Sequence, residues 1–202
     1  MNRKPGIVHA LIIFLFLISL GGCGSSSSSD AGSGSTGGSS GSGTKYIFAT
    51  SSIYDGNLGG LSGADSKCAL VATAGALSGT FQAWISNDST NAIDRITGNG
   101  PWYLTDGTLL FNNKAGLTLT PMSNINKDEN GQFVNTGGGY VWTGTDLGGT
   151  SNTAIGNCSN WTTNLPGVNG LVGSIVANNI GWTESLSQGC SNVSTHLYCL
   201  QE

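Results

Sequence analysis

The sequence predicts a loop-rich α+β domain, with a mostly-β domain as the nearest variant, and three observations carry the prediction. Apolar segments are short and strand-like, and stretches rich in Gly, Ser, Thr and Asn separate them. Only the segment around residues 63–74 has strong helical periodicity. Four cysteines share this region, in a chain only 9% charged, so hydroxyls and amides rather than ionic groups keep the surface soluble.

Two segments of a different kind precede the domain. Arg3 and Lys4 give a positive start, and Ile7 to Leu20 form an apolar run, which is the layout of an export signal. The run is too short for a comfortable membrane span of about 20 residues. It closes on Leu20-Gly21-Gly22-Cys23, which resembles the lipobox of bacterial lipoproteins and implies lipidation of Cys23. Residues 24–44 hold seventeen Gly or Ser among twenty-one. Such a composition buries no apolar surface and stays a flexible coil with a reach of about 25 Å. The expected organisation is a lipoprotein signal peptide over 1–22, a lipidated Cys23 with its tether over 23–44, and one domain over 45–202. A domain of that length buries a sizeable core. The expected location is a bacterial membrane reached through the lipid, at the outer membrane or cell surface.

Charge narrows the partners. Removing Arg3 and Lys4 from seven basic and eleven acidic residues leaves five against eleven, a net charge near −6. No basic run follows Lys4, so nucleic acid and polyanions are excluded as partners, because they are bound by clustered Lys and Arg.

With Cys23 assigned to lipid, Cys68, Cys158, Cys190 and Cys199 remain. An even number in an oxidising compartment reads as two disulfides, and spacing leaves all three pairings open. Zinc is the rival, but the mature chain has one histidine, His196, and no C-x-x-C pair.

The elements follow in order. Ser62 with Asp65 fits a capping box, and Ala64, Cys68 and Val71 fall on one face. With Gly75 as a stop, they predict a helix over 63–74. Phe81, Ala83 and Ile85 alternate with polar or amphipathic residues as in a strand over 79–86. A short second helix is expected near 90–96, capped by Asp88 or Ser89. In "PWYLTDGTLLF", Asp106-Gly107 between apolar runs predicts a two-residue hairpin with a primed turn. "GYVWTGT" reads as another strand. In the terminal "STHLYCLQE", Leu197 and Cys199 share one face and His196, Tyr198 and Leu200 the other.

These blocks carry a resemblance. "DGNLGGLSGADSKC", "GALSGTFQAWIS", "VWTGTD", "CSNW", the late "GC" and "LYCLQE" resemble endostatin. They are closer still to a bacterial family of endostatin-like surface lipoproteins known from spirochaetes. The resemblance spans residues 46–202 and is least specific over 98–138. It implies a C-type-lectin-like fold with loop-rich, twisted antiparallel sheets. It also implies disulfides joining Cys68 to Cys199 and Cys158 to Cys190, so that the helix cysteine fastens the start of the domain to its end.

The same resemblance shows departures. The calcium-binding triplet of sugar-binding lectins is missing, and where a Trp-Asn-Asp stretch would stand the chain reads "GWTESLSQGC", with Glu184 its one acidic side chain. The zinc histidines and the arginine-rich heparin surface of endostatin have no counterpart either. One calcium-like element remains: Asn126, Asp128 and Asn130 occupy positions one, three and five of an oxygen-ligand loop, with Gly131 sixth. Its twelfth position is Gly137 rather than Glu, and a polar hairpin turn accounts for the same residues. No other cofactor is expected.

No enzymatic activity is expected. His196 reads as a structural residue of the terminal strand, no G-x-S-x-G elbow lies within residues 45–202, and no two of the scattered acids stand out as a pair. Most of the five tryptophans are expected in the core. Trp102, after Pro101, and Trp182, after Gly181, are candidates for partner contact at loop tips. The resemblance implies a lipid-anchored surface module that binds extracellular matrix proteins or complement regulators. The alternative is a carbohydrate-binding or structural envelope lipoprotein on the same scaffold.

Overall fold

The computed structural model describes residues 43–202. The signal segment, Cys23 and all but the last two residues of the tether lie outside them. The first element, β1 (Lys45–Ala49), runs through the middle of a five-stranded sheet. Beside it lies the last, β8 (Tyr198–Gln201), antiparallel, with Phe48 opposite Cys199. β2 (Phe81–Ala83) flanks β8, while β3 (Trp102–Tyr103) and β4 (Leu109–Phe111) extend the other side. β5 (Tyr140–Trp142), β6 (Asn169–Ser174) and β7 (Leu186–Gly189) form a second, antiparallel sheet. A bridge between Val141 and His196 connects the two sheets. The fold is thus α+β with few helices and two sheets. One pairing departs from the antiparallel expectation, since β1 and β3 run parallel.

β8 is buried on both faces, and that places the core. Leu197 and Cys199 belong to one apolar cluster with Phe48, Phe81 and Val71, whereas Tyr198 and Leu200 belong to another with Trp84, Trp102 and Trp182. The alternation read from "HLYCL" therefore sorts residues between two interiors.

Helix α1 (Gly60–Ala74) buries Ala64, Cys68, Val71 and Ala72 as the periodicity requires. Its ends differ from the expectation. It starts a turn earlier, with Gly59 as N-cap at φ 83° and no side-chain cap, because Leu58 and Gly59 donate their amides to Trp161 O and fix the entry. Asp65 is thereby released from capping: its carboxylate accepts from Ala83 N and from Arg95, which also donates to Ala83 O and Ile85 O. At the other end Gly75 has φ −81° and the left-handed residue is Ala76, at φ 57°. Ala76 N donates to Thr73 O and Leu77 N to Ala72 O, the double bond of a Schellman end. What Gly75 supplies is close approach, since a Cβ there would come 2.7 Å from Glu129 O.

Other elements are shorter than their patterns. α2 covers only Ala92–Arg95, and its N-cap is Asn91, not Asp88 or Ser89. Ser86 Oγ takes the Ala92 amide, while the Asp88 carboxylate is held by the amide groups of Asn157 and Asn160. The Asp106-Gly107 hairpin closes with Leu104 N to Thr108 O, leaving three residues in the loop and Gly107 at φ 90°. That is the three-residue hairpin with a left-handed glycine, and it shifts the register at Trp102/Tyr103.

Two disulfides join Cys68 to Cys199, 131 residues apart, and Cys158 to Cys190, 32 apart. This is the pairing that the resemblance implies, and all four cysteines are fully buried. The inner bridge anchors a left-handed turn, with Cys158, Ser159, Asn160 and Trp161 at φ 52°, 52°, 60° and 63°. Each L-residue costs roughly 1–2 kcal/mol in that region, so the neighbours must over-determine it. Asn157 Oδ1 accepts from Asn160 N, Trp161 Nε1 donates to Ser86 O, and Asp88 clamps both asparagines.

Candidate functional site

After β4 the chain turns at Asn112-Asn113, and Asn113 Oδ1 accepts the Gly116 amide to start a 3-10 turn over Lys114–Thr118. The chain then comes back along β4, where Met122 N donates to Leu110 O. Leu119 is fixed through its carbonyl, which accepts from Trp182 Nε1 at 3.0 Å. Trp182 in turn packs on Phe111 with ring centroids 5.5 Å apart. Between the turn and the returning segment lies a pocket of about 260 Å³, lined by Phe111, Ala115, Leu119 and Met122 with Asn112 and Thr120. No residue lining it is charged. Leu119 and Met122 are 62% and 57% exposed, while hydrogen bonds hold their backbones.

The residues singled out from sequence lie elsewhere. Trp102 and Trp182 are fully buried, so neither stands at a loop tip for a partner. Trp102 Nε1 donates to Gln201 O, and Trp182 stacks on Trp84 at 5.3 Å. Pro101 and Gly181 mark turns that carry the indoles inward, because two large apolar rings are stabilised far more by burial than by exposure. Among the described residues all five indoles are core.

Asn126, Asp128 and Asn130 form a hairpin closed by a bridge between Lys127 and Phe133. Asp128 Oδ1 accepts the amides of Asn130 and Gln132, both at 2.9 Å, so the carboxylate folds onto its own turn. Gly137, the twelfth position, packs against His196. Among the described residues no group of three or more His, Cys, Asp or Glu could hold a metal ion. This geometry is that of a polar hairpin turn.

His196 is fully buried, with Nδ1 2.7 Å from Thr50 O and Nε2 2.9 Å from Thr136 O. Nearby Glu129, only 5% exposed, accepts the Ser51 amide and hydroxyl. Burial raises the Tyr54 phenol above its usual range; a hydrogen bond with Ser52 opposes this and the Glu129 charge adds to it. Desolvation pulls the Asp106 carboxyl upward, but hydrogen bonds from Thr108 and the Lys127 ammonium win and hold it below its usual value.

Sequence patterns gave no sign of the pocket. It lies in the stretch where the resemblance was least specific, and "LTLTPM" has the composition of an ordinary loop. The chain matches no protein-family model and no curated protein. Among the described residues no helix is long and apolar enough to cross a membrane.

Proposed function

We propose that this chain is an exported, non-catalytic binding module. In this reading an endostatin-like domain of C-type-lectin-like fold is attached through a lipidated Cys23 at the outer membrane or cell surface. It binds extracellular proteins of the matrix or complement-regulator kind. Support for the fold reading comes from the first-helix to last-strand disulfide, the neighbouring terminal strands and the second disulfide beside the small sheet. Support for the binding reading comes from the uncharged pocket with Leu119 and Met122 at the surface. Met is enriched in protein interfaces, and exposed apolar side chains beside a concavity offer a partner a surface to bury.

The test is surface binding of the purified protein to laminin, fibronectin and complement regulators, with Leu119→Asp/Met122→Asp as the variant. Saturable binding that the double substitution weakens at least about tenfold supports the reading. Saturable binding to none of them removes the protein-partner reading. Binding on a glycan array that a chelator abolishes would replace it with the carbohydrate alternative and bring back Asn126, Asp128 and Asn130 as ligands. Protease shaving of intact cells tests the surface location separately.

A further inference from the structure

Among the described residues, Asn-Gly or Asp-Gly steps lie at 55–56, 99–100, 106–107, 130–131 and 169–170. Such a step is chemically fragile, because glycine has no side chain to keep its amide nitrogen away from the preceding side-chain carbonyl carbon. The reaction needs that nitrogen free, and the fold occupies it at four of the steps. Gly56 N donates to Cys190 O at 2.8 Å, Gly107 N to Leu104 O at 2.9 Å and Gly131 N to Asp128 O at 3.0 Å. Gly170 stands inside β6, opposite Gln188 of β7. Gly100 N alone has no backbone acceptor among the described residues. We propose that Asn99-Gly100 is a modification site, at which the folded protein deamidates spontaneously while the other steps are protected.

The chemistry needs water and nothing else, and Asn99 is exposed to it. Gly100 N attacks Asn99 Cγ and a C–N bond forms. The bond from Cγ to the carboxamide nitrogen breaks, and that nitrogen leaves as ammonia with the proton given up by Gly100 N. Water then opens the succinimide at either of its carbonyls. One opening restores the original chain with aspartate at 99. The other gives isoaspartate, in which the chain runs through Cγ and the former backbone carbonyl becomes a free carboxylate.

The chain is pinned on both sides of this step. Upstream, Glu202 Oε2 accepts from Thr97 N at 2.7 Å and from Gly98 N at 2.8 Å. Downstream, Trp102 pairs with Lys45, and its indole donates to Gln201 O at 2.8 Å. Between them Gly100, at φ 79°, lies against the Trp102 ring, where a Cβ would come 2.6 Å from Cε3. Isoaspartate inserts one methylene into this short span, and the pinned ends leave the slack at Asn99. Its carbonyl accepts from Lys114 N at 3.0 Å. Lys114 opens the 3-10 turn that walls the pocket, so ageing at Asn99 loosens that wall.

Peptide mapping of the protein aged in warm, mildly alkaline buffer tests this, with isoaspartyl methyltransferase and labelled S-adenosylmethionine reporting isoaspartate. Deamidation at Asn99 should run at least about fivefold faster than at Asn130 or Asn169, the factor for tying the nucleophile into one hydrogen bond. In urea the three rates should become comparable. Equal or faster reaction at Asn130 or Asn169 in the folded protein, or none at Asn99 while the urea sample reacts, overturns the proposal. Asn99→Gln is the control, because its longer amide disfavours the ring closure. Hydrogen exchange of the Lys114 amide should quicken about tenfold in the isoaspartate form and stay unchanged in aged Asn99→Gln. An unchanged Lys114 rate in the isoaspartate form overturns the loosening of the pocket wall.

Discussion

Replacing Cys68 and Cys199 together by alanine opens the bridge between the first helix and the last strand, and the size of the loss follows from chain topology. The outer bridge closes 131 residues and encloses the inner one, which spans 32. With the inner bridge intact the chain has a short cut, so the loop released by the outer substitution is 131 residues less the 32 bypassed, about 100. In the chain-entropy relation such a loop is worth about 4.7 kcal/mol, and the inner loop about 3.7 kcal/mol. Both outer sulfurs are fully buried, so alanine adds a cavity cost on top. Against a typical total stability of roughly 5–15 kcal/mol, the outer pair alone decides whether a marginal domain folds. Urea denaturation of the wild type and of each double variant, with the remaining bridge oxidised, measures both losses. An outer variant that loses less than about 2 kcal/mol would refute the assumption that the unfolded ensemble is a flexible loop.

Two substitutions should stabilise the protein. Ala76→Gly relieves a left-handed alanine in the Schellman end of α1, at φ 57°, and should gain about 0.5–1 kcal/mol in urea denaturation; a loss would mean that the alanine methyl packs usefully. Tyr198→Phe removes a fully buried hydroxyl that has no hydrogen-bond partner. Burial alone drives that phenol far above its usual range, and deleting it should raise stability by about 1 kcal/mol at the thermal midpoint; a comparable loss would reveal a buried water bonded to it.

Much of the fold was legible because short-range chemistry decides it. The face formed by Ala64, Cys68 and Val71 is a property of 3.6-residue periodicity, and the alternation of Leu197 to Leu200 is a property of extended backbone. Helix ends were misread because a cap is chosen by competition. Ser62 and Asp65 have the spacing of a capping box, yet Trp161, a hundred residues away, takes the entry amides and Arg95 takes the carboxylate. Trp102 and Trp182 were misplaced for a related reason: Pro and Gly mark a turn, but the direction in which a turn throws a side chain depends on what it packs against. Asn126, Asp128 and Asn130 likewise fit two readings from spacing alone, and only the fold shows Asp128 bonded to its own turn.

By itself the sequence determined the α+β class and the faces of α1 and β8, since composition and period are local. Tertiary structure alone decided the parallel pairing of β1 with β3, the pocket between Phe111 and Met122, and the seat of His196 between Thr50 and Thr136. Each depends on groups distant in the chain meeting at one place, and nothing in the spacing of residues along a chain encodes which distant carbonyl a buried nitrogen will face.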